Sequence, residues 1–236
     1  MNSQASHYLG DFDSALQALR SEVFSMADMA KHNIDRAIRA LVEQDLDLCR
    51  TVIADDNEVD EAERRVDRMG MEAIARFKPV ATDLRMVISS MKISTNLERV
   101  SDHAVGIAKR VRKILRCGEV AEFTYADLLY SMASSILADA VASYADGNVE
   151  LGASLSERDK ELDRAYKRCT NSLSDSLGRS EGNSELYLHL IFILRSLERI
   201  GDLAVNIGED AVFMEAARDI RHGHALDEEP MPENQG

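Results

Sequence analysis

The chain has 236 residues, of which 45% are apolar, 30% charged and only 5% aromatic, a balance that suits a soluble globular protein. With 42 acidic against 28 basic residues and a net charge of −14, it lacks the basic footprint that a nucleic-acid backbone requires. Cations, or partners with basic patches, are favoured instead.

Residues 1–218 contain a single proline, Pro79. Proline removes a helix donor and clashes with the preceding turn, so a stretch this long with one breaker predicts an all-α fold. The opening segment MNSQASHYLGDFDSAL has no charged region leading into an apolar run, and no signal peptide is expected. A first helix over 10–43 follows from Leu16, Leu19, Val23, Met26, Ala30, Ile34, Ala37, Ile38 and Leu41, spaced three or four apart. A second covers 45–77 and stops before Pro79. A third begins near Thr82 and carries Leu84, Val87, Met91, Leu97, Val100, Ala104, Ile107, Val111 and Ile114 on one face. Cys117-Gly118 ends it, and Thr124, with Asp127 three residues on, reads as the N-cap of the next helix. Helices over 125–146, 148–177 and 184–218 complete the pattern, broken at Gly147-Asn148 and in the segment GRSEGN (178–183). Residues 219–236 have little to bury and are expected to form a disordered acidic tail. No uninterrupted apolar stretch approaches the roughly 20 residues needed to span a bilayer. Cys49, Cys117 and Cys169 are odd in number and widely spaced, which argues against a disulfide framework or a thiolate zinc site and for buried small side chains in a reducing compartment.

The pattern repeats. An offset of 103 pairs Met29 with Met132, Ala37 with Ala140, Leu48 with Leu151, Asp56 with Asp159 and Asp60 with Asp163. Further on, an offset of 100 pairs Ile93 with Ile193 and lays LERVSDHAVGIA (97–108) on LERIGDLAVNIG (197–208). The change falls between the two matched blocks, as one loop-length difference in a duplicated domain would produce. Two tandem three-helix bundles are therefore expected, over 8–117 and 123–218.

Each repeat carries four carboxylates in register. Asp56 and Asp60, and Glu98 and Asp102, are four residues apart and so share a helix face. Folding the second and third helices into an antiparallel hairpin about Pro79 sets Asp60 level with Glu98, and Asp56 level with Asp102, roughly 28 Å from the turn. Asp159, Asp163, Glu198 and Asp202 repeat this arrangement about the GRSEGN segment. Four facing carboxylates repel unless they are protonated or bridged by cations. All-oxygen donors favour hard ions, and Mg²⁺, Mn²⁺, iron, Ca²⁺ and Zn²⁺ are the candidates. Acidic pairs at helical spacing are ordinarily a solvated face; duplication and common register weigh for metal here. Arg99 and Arg199 follow the glutamates but start about 100° around the helix, so they are expected to be poor substitutes for a cation. Gly201 beside the second set suggests close helix approach. His103 and His189 have no counterpart in the other repeat and read as surface or hydrogen-bonded helix histidines, while His222 and His224 fall at the tail boundary. Lys109, Arg110, Arg112, Lys113 and Arg116 close the third helix where the second repeat has Glu209 and Asp210. They read as favourable charge at a helix C-terminus, with an anion or partner patch as the alternative.

PVATDLR (79–85), LERVSD (97–102) and LERIGD (197–202) resemble the PhoU family of bacterial phosphate-signalling regulators, over nearly the whole chain. The resemblance implies two three-helix bundles related by pseudo-twofold symmetry, whose paired acidic motifs hold metal ions or clusters, here Asp56/Asp60, Glu98/Asp102, Asp159/Asp163 and Glu198/Asp202. Ser101 departs from the glycine usual at its position. The resemblance further implies a non-enzymatic negative regulator of phosphate uptake. Such a protein is cytoplasmic, peripheral to the membrane only through its partners, and able to form a homodimer. The implied partners are a phosphate ABC transporter ATPase and a phosphate-sensing histidine kinase. Two other classes stay open at this point: a carboxylate-bridged metalloenzyme and a metal-free structural helical protein. The enzyme class is weakened because ferritin-like di-metal bundles need Glu-x-x-His pairs, whereas Ser101 and Gly201 stand three residues after Glu98 and Glu198.

Overall fold

Six helices run in chain order: α1 (Asn2–Val42), α2 (Leu46–Phe77), α3 (Ala81–Cys117), α4 (Thr124–Asp146), α5 (Val149–Arg179) and α6 (Ser184–Ala216). They are seen in a computed structural model that describes residues 2–117, 123–179 and 184–221. All nine apolar positions of the first helical pattern, Leu16 through Leu41, are buried. In α3 seven of the nine are buried, while Leu84 and Met91 are half-buried. Cys49 and Cys169 lie in the core as free thiols.

Local chemistry sets the ends. The Asp45 carboxylate accepts from the backbone N–H groups of Asp47 and Leu48 at 2.7 and 3.1 Å, capping α2. Lys78 and Ala81 take left-handed φ values of 51° and 48° on either side of Pro79 and Val80, which reverses the chain into α3. Gly147 ends α4 at φ 65°, a conformation that costs glycine little. The Asn148 side chain then accepts from Leu151 N–H at 3.0 Å. The expected Thr124 cap does not form. Phe123 is already helical (φ −65°, ψ −19°) and no side chain caps α4, so the chain enters without the extended residue from which a threonine hydroxyl reaches the first free amides. α1 begins well before residue 10, and α5 continues through Gly178 to Arg179. Residues 180–183 of the predicted loop, and the tail from His222 onward, lie outside the described residues.

α1, α2 and α3 form one bundle and α4, α5 and α6 the other, with α3 and α6 packed along the seam. They run antiparallel: Arg85 Nε donates to Met214 O at 3.2 Å near one end, and Arg110 meets His189 near the other. Further ties cross the seam, from Tyr144 to Ser90 (2.7 Å), Tyr130 to Asp35 (2.8 Å) and Arg20 to the carbonyl of Ala145 (2.8 Å). Among the described residues α4 alone has the length and apolar composition to cross a bilayer. In this fold Ala126, Leu129, Ala133, Ile136, Leu137, Ala140 and Tyr144 of that helix are buried in the protein core.

One pair shows how the duplication is preserved. Arg36 of α1 is bonded to Asp55 of α2, and Asp139 of α4 to Arg158 of α5. These are equivalent positions at the 103 offset, with the charges exchanged. The contact survives because attraction does not depend on which helix carries which sign.

Candidate metal centre

In the first repeat, the 3.6-residue turn puts Asp56 and Asp60 on the edge of α2 that faces Glu98 and Asp102 on α3. The carboxylates sense one another. Glu98 is pushed up to about 7, first by burial and then by the charges of Asp102, Glu63, Asp60 and Asp56. Asp56 is also raised, chiefly by burial, with Asp102 and Asp60 adding to the effect. A hydrogen bond opposes this: the fully buried Ser101 hydroxyl donates to Asp56 Oδ1 at 3.1 Å, and Asn33 Nδ2 donates to Ser101 Oγ at 3.0 Å. Asp60 also has Arg64 at 3.7 Å. Glu63 belongs to this acidic set, although reading for repeat-matched acids passes over it. Its spacing after Asp56 and Asp60 places it on their face, but at the 103 offset its counterpart is Tyr166.

The second repeat gathers Asp159, Asp163, Glu198 and Asp202 in the same way. Asp159 is raised to about 7 by burial and by Asp202, Asp163 and Glu198. Glu198 is raised too, by burial and then Asp202. Here nothing replaces Ser101. Asp159 Oδ1 and Glu198 Oε2 are buried with no hydrogen-bond partner. Gly201 explains the difference: a Cβ there would lie 2.3 Å from Leu162 Cδ2 and 2.7 Å from Asp159 Oδ1. In the first repeat the smaller Val59 stands opposite Ser101 at the position equivalent to Leu162, and Asn33 takes the place of Ile136. The glycine thus leaves room for the ends of the Leu162 and Asp159 side chains, which a larger residue would force to shift.

Arg199 departs from expectation. It reaches Asp202 Oδ2 at 2.7 Å, and its Nε lies 3.4 Å from Glu198 Oε2. The latter contact lacks hydrogen-bond geometry, which is why Glu198 Oε2 remains unsatisfied. A long flexible side chain curls back across the 100° that separates adjacent helical positions, so Arg199 partly neutralises the second set. Of the histidines, His189 is a hydrogen-bonded helix residue, only 6% exposed and accepting from Arg110 at Nδ1. His103 is half-buried and held below its usual value by desolvation, within electrostatic reach of Asp102 and Arg99 on its own hairpin and of Arg199 and Asp202 on the other.

Among the described residues no three His, Cys, Asp or Glu side chains are already drawn into metal-coordinating geometry. The donor set nevertheless suits a hard cation. Each site offers four carboxylates held close against mutual repulsion, and the second holds two buried oxygens that lack donors. An ion that approaches these acids replaces missing hydrogen bonds and cancels repulsion.

The PhoU domain matches residues 23–111 and again 127–211. A phosphate-specific transport system accessory protein PhoU homolog from Pseudomonas putida is 31% identical, with 92% of this chain and 85% of that protein aligned. One from Rhizobium meliloti is 33% identical over 88% of each chain. The crystal structure of PhoU from Pseudomonas aeruginosa superimposes with a TM-score of 0.84 at 29% identity, covering 87% of this chain and 99% of that one. The phosphate transport system regulatory protein PhoU from Streptococcus pneumoniae shares the fold, with a TM-score of 0.82 at 24% identity, covering 88% of this chain and 98% of that one. A domain matched twice in tandem, on a six-helix chain whose relatives align over most of their length, places this chain in the PhoU family.

Proposed function

We propose that the chain is a metal-binding, non-enzymatic accessory protein that restrains phosphate uptake and phosphate-responsive signalling. It works at the cytoplasmic face between a phosphate ABC transporter ATPase and a sensor histidine kinase. The names of its relatives support the phosphate-transport setting. The observation that carries the metal reading is the duplicated carboxylate quartet, with Asp159 Oδ1 and Glu198 Oε2 buried and unbonded. Asp56, Asp60, Glu98 and Asp102 would hold one ion or cluster, and Asp159, Asp163, Glu198 and Asp202 the other. A bound cation would supply positive charge between α2 and α3 and between α5 and α6. The protein's side of this is electrostatic: Glu98 and Asp159, both raised to about 7, would give up their protons to the cation's charge.

Metal analysis of untagged protein tests the site. Wild type should hold metal in both halves, and Glu198→Ala/Asp202→Ala should lose the second portion and retain the first. Unchanged stoichiometry in that variant would remove the assignment. Deletion of the gene tests the regulatory role separately: phosphate-transport genes should be expressed in phosphate-rich medium, and unchanged expression would count against the restraint.

A further inference from the structure

A groove of about 420 Å³ lies along the C-terminal half of α3, lined by Gly106, Lys109, Arg110, Arg112, Lys113 and Arg116. At the 100 offset it maps onto a second groove, lined by Asn206, Glu209 and Asp210 of α6 with Lys92, Thr95, Asn96 and Arg221. Three lining positions recur: Gly106, Lys109 and Arg110 become Asn206, Glu209 and Asp210, and there the two acids are balanced by Lys92 and Arg221, so the first groove is cationic and the second carries no net charge. In the second groove the buried Asp210 is paired with Lys92 at 3.4 Å. In the first, among the described residues, no carboxylate pairs with Lys109, Arg110, Arg112 or Arg116. The second repeat folds without cations at two of these positions, since α6 has Val212 and Ala216 where α3 has Arg112 and Arg116. The helix macrodipole does not account for them either. Its effect is confined to the final turn, where Arg116 is the basic residue, and Lys109 stands two turns earlier.

Arg110 is held in place without being neutralised. Its guanidinium lies 4.2 Å from the Phe192 ring centroid and 3.4 Å from His189 Nδ1. The buried His189 is kept below its usual value by desolvation and by Arg110 and Lys113, so the neutral ring accepts from Arg110 and adds no charge. Phe192 and Leu188 of α6 are themselves 40% and 45% exposed.

We propose that this groove binds a small anion bearing a chain of phosphoryl groups, either inorganic or linked to a nucleoside. Lys109, Arg110, Arg112 and Arg116 span roughly 10 Å of helix, longer than one orthophosphate and suited to a linear chain. Arginine binds phosphoryl oxygens in pairs. The volume falls within the roughly 300–1,000 Å³ of small-molecule sites, and the cations are confined to it. A protein partner would need a surface of about 800 Å².

Lys109 lies within electrostatic reach of Asp56, so the test is run metal-free to keep the two sites from being confused. The full chain in EDTA at low salt is titrated calorimetrically with tripolyphosphate, ATP and orthophosphate. Tripolyphosphate or ATP should bind at least about tenfold more tightly than orthophosphate. Comparable affinity for tripolyphosphate and ATP assigns an inorganic chain, and tighter ATP a nucleoside-linked one. Lys109→Gln/Arg116→Gln should weaken binding by about a hundredfold, roughly tenfold for each charge-assisted hydrogen bond lost, with unchanged helical circular dichroism. Glu209→Gln in the second groove should have no effect. If the double variant loses helicity, Arg112→Gln/Arg116→Gln takes its place with the same expectation. The proposal is overturned by no binding at about 1 mM ligand, by equal affinity for orthophosphate, by undiminished binding in a folded variant, or by binding of acidic peptides or anionic vesicles alone. Each of those results leaves the metal reading intact.

Discussion

Asp159→Asn separates the cost of the carboxylates from their use. In the folded chain Asp159 rises from the ordinary 3.8 to about 7, by burial and by Asp202, Asp163 and Glu198. That displacement corresponds to roughly 4 kcal/mol, and solvent access to the cluster reduces it to about 1–2 kcal/mol. The folded value exceeds the unfolded one, so the group's contribution is fully present below about pH 4 and is lost as the pH rises through 7. At pH 8 the apo wild type therefore bears the whole penalty and the asparagine variant bears none. Thermal melting in EDTA should show the variant about 2–8 °C more stable at pH 8, with about a third of that gain at pH 5. Added Mn²⁺ or Mg²⁺ reverses the order, because a ligand of the native state stabilises by mass action and the variant has lost a donor. A variant that melts below wild type in EDTA at pH 8, or gains as much from metal, would refute the reasoning.

Two further substitutions probe the framework. Gly201→Ala should destabilise by about 1–2 kcal/mol despite alanine's better helix propensity, since its Cβ meets Leu162 and Asp159 and overpacking outweighs the roughly 1 kcal/mol of propensity. Adding Leu162→Val, as in the first repeat, should restore most of the loss in urea unfolding; no recovery would mean that the clash is not the cause. Arg36→Asp alone should cost about 1 kcal/mol, and Arg36→Asp/Asp55→Arg should return close to wild type. A double variant as unstable as the single would show that the two charges act independently.

Much of the helical frame is written as periodicity. Leu16 to Leu41 and Leu97 to Ile114 recur at the spacing that one buried stripe demands, and those residues are core in the structure. The common register of the acids about Pro79 is legible too, because an antiparallel hairpin fixes which residues stand level. What the sequence hides depends on side-chain reach and on residues far apart in the chain. Arg199 returns to Asp202 through its own flexible stem. Glu63 is masked by having Tyr166 as its repeat partner. The Asn33–Ser101–Asp56 relay joins three helices, and no local pattern announces it. Thr124 carries a cap's chemistry but lacks the cap's backbone, because Phe123 is already helical.

The two halves serve as an internal comparison, and what differs between them follows a rule. Where a position serves packing, changes come in compensating pairs: Ser101 with Val59 against Gly201 with Leu162. Where a position serves an ion pair, both partners change together, as Arg36 with Asp55 against Asp139 with Arg158. The carboxylate quartets obey neither constraint, yet all four positions keep the same residue: aspartate, aspartate, glutamate and aspartate in each half. Burial first, and the neighbouring acids second, raise Glu98 and Asp159 to about 7, so the arrangement works against stability in the apo-protein. A fold with no use for the acids would shed that cost by a single substitution in either half. Retention of the same acids in both halves, against the electrostatic gradient, is what the proposed cation site would require and a merely solvated acidic face would not.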